Sequence, residues 1–157
     1  MQKVKVLSVS FLLVVLFVSL GIAAGERSFK AGLSGSEVVP PVKTKAKGEA
    51  TFQSVKNGNE LTYKVVVSDI ENVTAAHIHD GKHGKNGPPL GNLFTGPKKE
   101  GRFSGTLSEG TITAKDLFGP LSGKSVSHLI QMIEDGHAYV NVHTDKYPNG
   151  EIRGQIK

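Results

Sequence analysis

The chain reads as an all-β fold, a Greek-key β-sandwich or small barrel of about seven to eight strands with one short helix. Three observations predict it. Short runs rich in Val, Thr, Tyr, Phe and Ile alternate with Gly, Pro and Asn clusters, the punctuation of antiparallel sheets. One Asn-Gly turn sits between two alternating segments, and a single stretch near the C-terminus carries helical rather than period-two spacing.

The first 25 residues run from basic Lys3 and Lys5 through the apolar Val6 to Leu20 to the small Ala23, Ala24 and Gly25. This order predicts a secretory signal peptide over residues 1–25, cleaved near Ala24 or Gly25. The apolar run is shorter than the ~20 residues of a membrane span, and no later stretch is long enough to be one. Residues 26–157 are then one β domain, a length that supports a single core. The secreted or periplasmic location this implies is oxidising, yet the chain has no cysteine, so its stability rests on core, hydrogen bonds and any bound metal.

The net charge of +5 includes Lys3 and Lys5, which leaves +3 once the leader is gone. With no basic run interleaved with aromatics, a nucleic-acid partner is excluded.

Taken in order, strands are predicted near Phe29 to Leu33, then across the hairpin GEATFQSVKNGNELTYKVVVSD. There Ala50 and Phe52 precede the turn at Asn57 and Gly58, and Leu61, Tyr63, Val65 and Val67 repeat with period two after it. Further strands follow near Val73 to His79, Leu90 to Thr95, Arg102 to Leu107, His137 to His143 and Glu151 to Ile156. TAKDLFGPLSG reads as an irregular crossover with a single helical turn. In KSVSHLIQMIEDGH, the spacing of Val126, Leu129, Ile130 and Ile133 predicts a helix, with Ser125 placed to cap it and Gly136 to end it.

With no cysteine, the six histidines are the foremost candidate soft ligands in the chain. His77 and His79 share one face of their strand, ~7 Å apart at their bases, close enough to lean onto one ion with bonds of ~2 Å. A third ligand comes from GHAYVNVHTDKYPNGEIRGQI. Ala138, Val140 and Val142 make a core-facing row there, which leaves His137, Tyr139, Asn141 and His143 on the polar face. If the two strands are neighbours, His77, His79 and His143 converge, with the loop from Asp80 to Pro97 over or beside them. Equally, a polar sheet face is the ordinary solvent side, and histidines on it can simply be exposed. His128 lies on the polar side of the helix, His137 at a strand entrance, and His83 in the loop, where it is either a fourth ligand or none. Glu151 and Arg153 invite a catalytic reading but fit a surface ion pair or a hydrogen-bonding role better. No serine stands in a nucleophile-elbow context. Asn72-Val73-Thr74 is a glycosylation sequon at the start of a strand.

The two blocks AAHIHDGKHGKNGPPLGNL and GHAYVNVHTDKYPNGEIRGQI, in this order, resemble the signature blocks of the CHRD, or chordin, domain family, and the resemblance runs from about Lys30 to Ile156. It implies an extracellular β-rich module, found alone in microbial exported proteins and repeated in the animal protein that antagonises bone morphogenetic proteins. The cysteine-rich modules that accompany the domain there are absent here, which argues against growth-factor binding. More locally, HIHDGKHG is similar to copper/zinc superoxide dismutase, where a His-x-His pair on a strand of a Greek-key barrel ligates copper. The dismutase disulfide and its zinc-loop ligands have no counterpart, so this likeness implies architecture and mononuclear copper rather than dismutation.

The expectation is therefore a secreted module that binds one transition-metal ion through His77, His79 and His143. Copper is favoured and zinc comes second, since imidazoles suit both ions and Cu²⁺ binds more tightly. Turnover is not required. The alternatives are a metal-free adhesion or assembly module with an extracellular protein or self-assembly partner and, less favoured, a copper redox enzyme with an open coordination position.

Overall fold

The structure, a computed structural model, describes residues 26–157; the signal peptide expected over residues 1–25 lies outside them. Seven strands form one antiparallel sheet: β1 Ser28–Ser34, β2 Lys47–Val55, β3 Glu60–Asp80, β4 Pro89–Phe94, β5 Lys99–Ile112, β6 Ala138–Thr144 and β7 Ile152–Gln155, with helix α1 Val126–Glu134 between β5 and β6. Pairing runs β2-β1-β7-β6-β3, and β3 pairs back onto β2, which closes a barrel. The β1–β7 seam is brief. It consists of Ser34 opposite Arg153, with reciprocal backbone bonds between Lys30 and Lys157. β4 and β5 both attach to β3, the common neighbour of four strands.

Two segments expected as separate strands, Leu61 to Val67 and Val73 to His79, are one strand of 21 residues. Between them the register slips twice, and Asp69 and Asn72 both take a φ of 52°. Asp and Asn tolerate this left-handed conformation because their short polar side chains bond locally, so the polar interruption makes bulges rather than a turn. Asn72, the sequon residue, accepts the Gly101 N–H through Oδ1 at 2.9 Å. The bulged strand bends away from β2 and carries its second half onto β6.

The hairpin pairs Val55 with Glu60 around Asn57 and Gly58, which, with Lys56, have positive φ. Buried Val126, Leu129, Ile130 and Ile133 dock α1 on the core. Ser125 stands at its N-cap position, but its hydroxyl meets Ser127 and His128 instead of a backbone N–H. The crossover holds two single turns, Ala114–Asp116 and Gly119–Leu121, one more than expected. Among the described residues no helix is long and apolar enough to cross a membrane.

The core contains Ala76 and Ile78 of β3, Val140 and Val142 of β6, and Ile152 of β7. Side chains alternate along a strand. His77, His79, Tyr139, Asn141, His143 and Arg153 therefore share the opposite face.

Candidate metal centre

Register brings the histidines together. β3 and β6 pair with His77 opposite Asn141, His79 opposite Tyr139 and Ala75 opposite His143, so His143 is a diagonal neighbour of His77. One ring nitrogen from each of His77, His79 and His143 lies within 4.8 Å of the others. Ring centroids are 5.0 Å apart for His77 and His143, 5.7 Å for His77 and His79, and 5.9 Å for His79 and His143.

The face is polar but not open. Tyr139, Asn141 and Arg153 are all buried, against the expectation of a solvent-facing row, because two turns fold over it. One is the 81–88 loop and the other the 147–150 turn. Each presents a carbonyl to a histidine. His79 Nδ1–H donates to Gly87 O and His143 Nδ1–H to Pro148 O, both at 2.9 Å. A carbonyl oxygen can only accept, so in each neutral ring the proton sits on Nδ1 and the lone pair on Nε2. His79 Nε2 is buried with no partner at all. His77, with no carbonyl of its own, completes the chain by donating Nδ1–H to the bare Nε2 of His143 at 3.2 Å.

Electrostatics hold the rings neutral. Burial pushes His77 down to about 4, with His143 and His79 adding to the effect. His79 is lowered chiefly by burial, and the bond to Gly87 opposes the shift; His143 is lowered by burial against its bond to Pro148. Crowded, partly desolvated imidazoles resist acquiring charge. The result is a set of uncharged nitrogen donors with no carboxylate in the group.

The other histidines stand apart. His83 is exposed and pairs with Glu37 at 2.9 Å, His137 lies 4.0 Å from Asp80, and His128 meets Ser125. Glu151 and Arg153 are neither a surface pair nor each other's partner. Glu151 accepts from Thr44 and Thr144. Arg153 reaches Asn86 Oδ1 and the carbonyls of Lys82 and Lys85, with its guanidinium 3.5 Å above the Tyr139 ring. Sequence reasoning missed Gly87 and Tyr139. The only signal was the alternation that set Tyr139 on the histidine face.

The chain is similar to chordin of Xenopus laevis, 28% identical over 144 residues, and to chordin of Danio rerio, 31% identical over 140 residues; each match covers 87% of this chain and 14% of the relative. It thus spans about a seventh of the length of those curated relatives. No solved structure matches. The CHRD domain family model matches residues 29–156, both histidine-bearing strands and both covering turns included, and the chain belongs to the CHRD domain family.

Proposed function

We propose that this CHRD module acts outside the cytoplasm and binds one transition-metal ion, Cu²⁺ in preference to Zn²⁺, through His77, His79 and His143. The observation that carries the reading is the buried, partnerless Nε2 of His79, aligned with two further imidazoles whose nitrogens lie within 4.8 Å. A buried acceptor left bare costs about 1–3 kcal/mol, and a cation there would offset it. Neutral nitrogens with no oxygen ligands suit copper or zinc and not Ca²⁺ or Mg²⁺. The carbonyls behind His79 and His143 are the outer partners that metal-binding imidazoles ordinarily have. For His77 Nδ1 to join them, its proton moves to its own Nε2, with no change in ring charge.

Titration of the exported protein with Cu²⁺, followed calorimetrically and by metal analysis, tests this. Saturable binding of about one ion per chain is expected, with stabilisation of roughly 2.7 kcal/mol at one hundred times the dissociation constant. Replacing His77 and His79 together with alanine abolishes both. Unchanged affinity in the double variant, or no saturable binding by the parent at neutral pH, sinks the proposal in favour of the metal-free assembly module.

A further inference from the structure

We infer that Arg153 is a positioning residue for His79: stacked on Tyr139 and gathering the carbonyls of the 81–88 loop, it holds that imidazole in one orientation and one tautomer. The meaning of this for ligand binding rests on the metal reading above; the tautomer itself does not.

Arg153 is only 2% exposed, and none of the ion pairs among the described residues includes it. A buried guanidinium without a carboxylate is costly unless its N–H groups are met otherwise. Here they are met by Lys85 O at 2.7 Å, Asn86 Oδ1 at 2.9 Å and Lys82 O at 3.3 Å. The planar fork draws three acceptors of one loop to a single point, while its flat face lies on Tyr139. Lysine, a compact charge without a plane, can do neither in the same geometry.

The tie continues to the histidine by two routes. Tyr139 stacks on His79 at 5.1 Å between centroids, 16° from parallel, and its strand β6 lies between β3, which carries His79, and β7, which carries Arg153, so the tyrosine ring links guanidinium and imidazole. The residue following Asn86 is Gly87, whose N–H donates to Tyr139 Oη at 3.2 Å and whose carbonyl accepts from His79 Nδ1. Releasing the loop would therefore free both the stacking and the carbonyl that selects the tautomer. His143 depends on the other turn, through Pro148, and serves as an internal control.

Imidazole nitrogen–proton correlation spectra of the exported, metal-stripped protein at neutral pH read the tautomers directly. In the parent, His79 is expected as pure Nδ1–H. In Arg153→Lys an Nε2–H population of His79 appears while His143 is unchanged, and Zn²⁺ affinity falls 10- to 100-fold, the range for loss of outer-shell support. A parent His79 protonated on Nε2, or a folded Arg153→Lys protein with His79 still pure Nδ1–H, overturns the inference. So does equal loss of order at His79 and His143, which would mark general loosening. If Arg153→Lys does not fold, Asn86→Ala removes one of the three acceptors and should give a smaller shift in the same direction; no shift there is equally fatal. A parent that binds no Zn²⁺ or Cu²⁺ while His79 responds as described leaves the positioning role standing and removes the metal reading.

Discussion

The two halves of β3 share one backbone and one pattern of alternation but meet opposite fates. In the first half, Leu61, Val65 and Val67 face the core while Lys64 and Val66 are exposed on the other side. In the second, Ala76 and Ile78 face the same core, yet the opposite side, with His77 and His79, is partly buried. The difference lies in the cover. Nothing comparable to the 81–88 loop and the 147–150 turn lies over Lys64 and Val66. Alternation decides which side chains leave the core, and the turns decide whether they enter water or an enclosed polar site.

The largest expected effect breaks the core under the second half. Ile78 is fully buried between the two histidines in sequence, and Ile78→Ala should cost about 2–5 kcal/mol, as large-to-small changes in packed cores do. Val66, 39% exposed in the first half, should change stability by less than about 0.5 kcal/mol when made alanine. Urea midpoints measure both. Equal losses would mean that the halves do not differ in the way described.

Next comes the cover. A Cβ on Gly87 would overlap the Asp80 carbonyl oxygen, so Gly87→Ala must push the loop off the strand and take the His79 acceptor with it. Metal affinity should fall 10- to 100-fold, with about 1–3 kcal/mol of destabilisation from overpacking. The matching change in the other turn is Gly150→Ala. Its φ of 117° already disfavours a side chain, and a Cβ there would collide with the Asn141 amide. Isothermal titration against Cu²⁺ ranks the two. An unaffected Gly87→Ala protein would show that the loop carbonyl has no part in holding the ring.

Much of this was legible in advance, and what was missed has a physical cause. Period two in LTYKVVV, AAHIH and AYVNVH located the strands, and in the latter two it set His77, His79 and His143 on core-averse faces, because alternation is a local property of the backbone. The fusion of two strands through Asp69 and Asn72 was missed, since polar residues with left-handed φ mark a turn or a bulge equally well. The burial of Tyr139, Asn141 and Arg153 was missed too. It depends on where the 81–88 loop comes to rest, and that is settled by Arg153 meeting Asn86 and Tyr139 meeting Gly87 across 67 and 52 residues of chain. Such long-range contacts leave no period in a sequence.

A smaller effect is expected from acid. His77 is held down to about 4, and His79 and His143 are lowered as well, whereas in the unfolded chain each titrates near the ordinary ~6.5. The unfolded state therefore binds more protons below that point. The stability contributed by neutral histidines is complete above ~6.5 and is lost as pH falls toward about 4. On the proposed metal reading, proton competition shifts the same way, and release is expected below the ordinary histidine range. Denaturation of the metal-free protein across this window should show a downward slope that is shallower in the His77→Ala, His79→Ala double variant, where only the lowered His143 remains. Equal slopes would place the acid sensitivity elsewhere.

The smallest effect belongs to the exposed half, where the comparison is sharpest if nothing happens. Lys64 stands on the uncovered face, 3.6 Å from Glu109 of β5, with both side chains more than half exposed. Each end of such a pair loses side-chain freedom to hold the geometry, and water and salt screen what attraction remains, so the pair contributes only about 0–1 kcal/mol. Lys64→Ala should accordingly leave the urea midpoint almost unmoved, leave Cu²⁺ affinity untouched, and show little change between low and moderate salt. The charge lies on the same strand as His77 and His79, thirteen and fifteen residues earlier, so indifference here would localise the sensitivity of the second half to its cover rather than to β3 as a whole. A loss of metal affinity in Lys64→Ala comparable to that in Gly87→Ala would mean that the strand transmits strain along its length, and that the bulges at Asp69 and Asn72 do not separate the two halves.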